Sequence, residues 1–116
     1  MKKFLAVFLG TPASMEKWNA LSDDERRERE AAGMKAWGEW VETHRQAIVD
    51  NGAPLGKTKC ISRAGIADIR NELTAYAVIE AESHEAAAKL FERHPHFTIF
   101  PGDSVEVMEC LPIPGM

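Results

Sequence analysis

The segment FERHPHFTIFPGDSVEVMEC, residues 91–110, sets His94 and His96 on either side of Pro95. Imidazole is the side chain that most readily gains and loses a proton near neutral pH. Pro95 cannot extend a helix, and it holds the residue before it in an extended backbone. Residues two apart in an extended segment project to the same side, so the two rings can share one surface. Three roles are open to them. They can mark a helix stop, with His94 near the carbonyl end and His96 in solvent. They can act as a pair that moves a proton or orients a ligand. They can hold a metal, but a metal site needs three or four ligands, and His44, Asp103 or Glu92 would have to complete the set.

His44 falls on an apolar stripe with Met34, Trp37, Val41 and Ile48, spaced three and four residues apart. It is either a core histidine easing the end of a helix or a general base in a half-buried pocket. Trp37 and Trp40 beside the stripe, and Phe97 and Phe100 before the last strand, are core and interface fillers or an aromatic wall for a ring-bearing ligand. Lys57 and Lys59 either guard a strand edge or meet an anionic group. No nucleophile stands beside a histidine in the sequence, and no glycine-rich loop suits a nucleotide phosphate. No cofactor is expected.

These side chains sit on 116 residues, a length suited to one domain, residues 1–116, with 45% hydrophobic and 28% charged residues. The net charge of −4, with bases scattered among acids as in SDDERRERE, argues against a nucleic-acid surface. No apolar run approaches the roughly 20 residues that a membrane span needs. The opening MKKFLAVFLG reads as a strand rather than a leader, because its apolar part is short and no small-residue cleavage site closes it. A cytoplasmic protein is expected, with Cys60 and Cys110 as buried, reduced thiols.

Residues 3–9 alternate Phe4, Ala6 and Phe8 with Leu5, Val7 and Leu9, a strand that is apolar on both faces. A short helical turn follows at 15–21. Ser22 and Glu25 form an S-x-x-E capping box for a helix that the spacing extends to Asn51, with Gly52 as its left-handed stop. Residues 54–62 read as a second strand, 65–71 as a loop or irregular hairpin, and 73–81 as a third strand. Ser83 caps a second helix whose buried stripe is Ala86, Ala87, Leu90 and Phe91. Residues 104–111 form the last strand. The order strand, helix, strand, strand, helix, strand predicts a ferredoxin-like α+β fold with an antiparallel four-stranded sheet. Helices cover one face of such a sheet, so the other face calls for a second copy of the chain.

WGEWVETH, DNGAPLGKTK, AYAVIEAESHEAAAKLF and HPHFTIFPGDSVEVMECLPIPG together resemble the YCII-related family, a branch of the dimeric α+β barrel group, over residues 34–116. The resemblance implies a ferredoxin-like subunit, homodimers joined through sheet faces, and a cleft between sheet and helices. It also implies a site made from a histidine on the first helix and an aspartate just before a proline. Here His94 and Pro95 occupy the Asp-Pro position. His44 is the best match to the helix histidine, although Val41 lies nearer the expected place. The resulting candidates are His44, His94 and His96 for catalysis, and Trp37, Trp40, Phe100 and Asp103 for ligand binding, with no metal. One functional expectation is a small cofactor-free enzyme that moves a proton, as in a lyase or isomerase. The other is a non-catalytic small-molecule binding or protein-interaction module.

Overall fold

Strand β1 (Lys2–Leu9) buries Phe4, Ala6 and Phe8 as its alternation requires, and it lies inside the main sheet with a partner strand on each edge. A computed structural model describes residues 1–115. After β1 come α1 (Pro12–Asn19), α2 (Asp23–Thr43), β2 (Ile48–Pro54), β3 (Thr58–Ser62), β4 (Gly65–Ile69), β5 (Leu73–Ala81), α3 (His84–Lys89), α4 (Pro95–Thr98) and β6 (Ser104–Glu109). The main sheet has the order β2-β5-β1-β6, with every pair antiparallel. This is the ferredoxin-like α+β arrangement expected, with the β3–β4 hairpin inserted between its second and third strands.

Register places Phe4 opposite Ile79, Ala6 opposite Ala77 and Phe8 opposite Ala75 on β5. With Ala81, Ala87 and Phe91 these residues form the core, against which Trp37, Trp40, Ala86, Leu90, Val105 and Val107 pack. The expected stripe of α3 is therefore the one that faces the sheet. Its N-cap is Ser83, whose side chain accepts the Ala86 N–H. Ser22 and Glu25 form the expected capping box of α2, with Asp23 and Asp24 also in its first turn. Trp40 Nε1 donates to Leu90 O at 2.8 Å, and His84 Nε2 donates to Val107 O at 2.8 Å, which ties the helices to each other and to β6.

Four sequence expectations need correction. Helix α2 ends at Thr43, capped by His44, and does not run to Asn51. The β-branched Ile48 and Val49 instead enter β2, where the Ala47 carbonyl accepts the Glu80 N–H at 2.8 Å. Gly52 does take a left-handed φ of 67°, but within a bulged strand, where a Cβ would lie 1.8 Å from Tyr76 O. Residues 54–62 are consequently two pieces, the end of β2 and the strand β3, and residues 65–69 are its hairpin partner β4. On α2 the buried residue is Gly33, and Met34 is 67% exposed and so leaves the expected stripe, whereas Trp37 packs on the core and Val41 and His44 are half-buried. Cys60 and Cys110 are both free, but both are exposed: one lies on the hairpin, the other just beyond the end of β6.

The opposite face of the sheet carries Leu5, Val7, Tyr76, Val78 and Met108, brought into line by the pairs Leu5–Val78, Val7–Tyr76 and Leu5–Met108. Val7 is buried, Leu5, Tyr76 and Val78 are half-buried, and Met108 is exposed. The helix residues that pack on the sheet all meet the Phe4–Phe8 face. Among the described residues, no helix is long and apolar enough to cross a membrane.

Candidate functional site

His94 and His96 come together over Phe8. Helix α3 ends well before Pro95, and Arg93 then adopts a left-handed φ of 57°, rare for a residue with a side chain. That reversal leads into His94, which takes the expected extended backbone and serves as N-cap of α4, with Pro95 in the first turn. His96 is thus helical rather than extended, which corrects the geometry expected for the pair. The rings still converge: Phe8 lies 5.1 Å from His94 and 5.2 Å from His96, centroid to centroid.

His94 is fully buried. Its Nδ1 accepts the His96 backbone N–H at 3.0 Å, so the neutral ring carries its proton on Nε2. That Nε2 has no hydrogen-bond partner among the described residues. Around the His94 ring stand Trp37 at 4.5 Å and Trp40 at 4.7 Å, centroid to centroid and both edge-on, together with Phe8 and Phe91. Burial, then the neighbouring His96 and His44, push its pKa down to about 3.

His96 donates from Nε2 to Leu9 O at 2.8 Å, which leaves its lone pair at Nδ1 when the ring is neutral. Burial lowers its pKa, while the Leu9 carbonyl, the Asp103 carboxylate and the Ser104 carbonyl pull the other way. Gly102 sits directly against this ring. A Cβ there would come within 2.2 Å of His96 Cε1, so any larger residue must displace the imidazole. Asp103 is exposed; its carboxylate accepts from Thr11 N and Ser14 Oγ, both at 2.6 Å, bonds that hold its own pKa low and brace the start of α1.

His96 lines a cavity of about 440 Å³ with Phe100, Gly102, Gly10, Thr11, Thr74, Arg70 and Asn71 among its walls. Phe100 is held there because Gly33 offers no Cβ, which would lie 2.5 Å from the Phe100 ring. The sequence candidates are therefore divided among different places. His96 and Phe100 line the cavity. His94, Trp37 and Trp40 form the packed layer behind His96, and Asp103 braces the loop. His44 is half-exposed at the end of α2, its ring on Trp40, which lies between it and His94. Arg70 and Asn71 were missed, because residues 65–71 read as a connection with no periodicity to aim a side chain, and Thr74 because its strand was read only for its apolar residues. Among the described residues no three His, Cys, Asp or Glu side chains cluster to hold a metal ion.

No protein-family model matches the chain, and no curated protein matches it. Among solved structures it is similar to 5-chloro-2-hydroxyhydroquinone dehydrochlorinase (TftG) from Burkholderia phenoliruptrix AC1100, determined in complex with 2,5-dihydroxybenzoquinone. The match has a TM-score of 0.52 and 19% identity, and covers 90% of this chain and 89% of that one. At that identity the likeness is one of fold.

Proposed function

We propose that the chain is a YCII-related enzyme that moves a proton on a small organic molecule, in a lyase- or isomerase-type reaction without a cofactor. The observation that carries this reading is His96: an imidazole with a lowered pKa, oriented by Leu9 O, at the wall of a 440 Å³ cavity. A ring that is neutral at pH 7 is a competent base. In an elimination it takes the substrate proton, the electron pair forms a new double bond, and the leaving group departs with its own bonding pair. His94 acts as a positioning residue, accepting the His96 backbone N–H from within its aromatic surround. The fold shared with a dehydrochlorinase supports the elimination form of the reading.

Chloride release from 5-chloro-2-hydroxyhydroquinone, with 2,5-dihydroxybenzoquinone as the binding probe, is the direct assay. His96→Gln is expected to lower turnover by about 10²–10⁴-fold, the usual range for a general base, with an unchanged circular dichroism spectrum. An equal rate in the variant removes His96 from the chemistry. The sealed position of His94 favours one other reading, a non-catalytic binding module. In that case 2,5-dihydroxybenzoquinone binds the cavity and no chloride appears.

The same reading includes a homodimer joined through the sheet faces that carry Leu5, Val7, Tyr76, Val78 and Met108. A two-fold pairing of this face, on which Leu5, Tyr76 and Val78 are half-buried and Met108 is exposed, gives the central strands cover on both sides. Light scattering is expected to return twice the chain mass of 12.9 kDa at micromolar concentration. A single-chain mass there would overturn the pairing.

A further inference from the structure

The His96 cavity is also lined by Arg70, Asn71 and Glu72. Arg70 is exposed and makes no ion pair among the described residues. Asn71 is held in place there: its Oδ1 accepts Leu73 N–H at 3.0 Å, and its Nδ2 faces Thr58 Oγ1 at 3.5 Å. A second, open concavity at the root of the β3–β4 hairpin shares Arg70 and Asn71 with the first and adds Lys57, Lys59 and Asp68. Lys59 is engaged by Asp68 at 2.7 Å, which leaves Lys57 and Arg70 as the uncommitted cations.

Charge along the chain is uneven in the same sense. Residues 55–70 carry Lys57, Lys59, Arg63 and Arg70 against Asp68, a net +3 in a chain whose total is −4. The positive stretch thus borders the cavity that holds the neutral imidazole, on a molecule otherwise acidic. A local positive field at the mouth of a cleft concentrates anions there. A planar guanidinium matches a carboxylate with two parallel hydrogen bonds.

We propose that the His96 cavity takes small organic monoanions, with Arg70 holding the charged end and Lys57 steering it at the mouth. This deepens the reading of the cavity as a substrate site by naming the substrate class. Glu72 on the same wall excludes a second negative group and favours a ligand that also carries a hydroxyl or other donor. The anionic end meets Arg70, the remainder of the ligand extends toward Phe100, and the proton to be moved comes to His96.

The test is an NMR titration of the labelled full chain with benzoate and with benzamide, which share a shape and differ in charge. Benzoate is expected to give saturable shifts at His96 and Arg70, with benzamide weaker by at least about ten-fold. Arg70→Gln, at an exposed position, is expected to bring benzoate down to the benzamide level without changing the fold, and about 0.5 M salt to weaken benzoate alone. Equal binding of the two probes, no binding of benzoate, or a preference that survives Arg70→Gln would each overturn the proposal. The readout involves no turnover, so a failed chloride assay beside a charge preference at Arg70 rejects the proton-transfer chemistry and leaves this inference standing.

Discussion

Acidification from pH 6.5 to about 3 is expected to remove roughly 5 kcal/mol of stability through His94 alone. In the unfolded chain this imidazole titrates near its ordinary 6.5; in the folded protein burial pushes it down to about 3. Above pH 6.5 both states are neutral there, and the native state keeps its full advantage. As the pH falls through that window the unfolded chain binds a proton that the folded one refuses, so each pH unit costs the native state about 1.4 kcal/mol. His96, also lowered, adds in the same direction. Urea midpoints measured between pH 7 and 4 give the slope. His94→Asn keeps an acceptor for the His96 N–H and removes the titration, so its slope should be flatter by close to one proton. Parallel slopes in the two proteins would show that His94 is not held neutral by the fold.

Phe8→Ala is expected to cost about 3–5 kcal/mol, as deletion of a buried aromatic ring generally does. Phe8 is 2% exposed, and its ring meets Trp37 at 5.2 Å, Phe91 at 6.0 Å, and both histidines at about 5 Å. Its ring joins the sheet to α2 through Trp37, to the turn after α3 through Phe91, and to α4 through the two histidines. A domain of this size has only about 5–15 kcal/mol of stability in all, so much of it hangs on this ring. Denaturant unfolding should show a lower midpoint with an unchanged slope, and Phe8→Leu should recover most of the loss. A loss below about 1 kcal/mol for Phe8→Ala would mean that the helices do not depend on this contact.

The strands that make the central pair were legible because their signals are local. Residues 3–9 and 73–81 are short runs that are apolar on both faces, and Ser22 and Ser83 announce their helices through cap chemistry. The boundary between α2 and β2 was not. Apolar spacing continues through His44 to Ile48, and a glycine that tolerates positive φ serves equally as a helix stop or a strand bulge; only pairing with β5 decides between them. The misplacing of Met34 at the start of the α2 stripe has a similar origin. Gly33 is buried because Phe100, far along the chain, lies on it, and a residue without a side chain contributes nothing to a periodic pattern. His94 and His96 were recognisable as a pair from the proline between them. That one would be sealed in and the other face a cavity depended on the left-handed turn at Arg93, which nothing in its side chain foretells.

The bulged path of β2 also bears on what the protein avoids. Its pairing with β5 slips twice, around Asp50 and Gly52, and it ends at Pro54, which has no N–H to offer a neighbour. An incoming strand therefore finds no continuous ladder along that border on which to stack. Edge-to-edge pairing of copies along this margin is disfavoured by the shape of the strand itself.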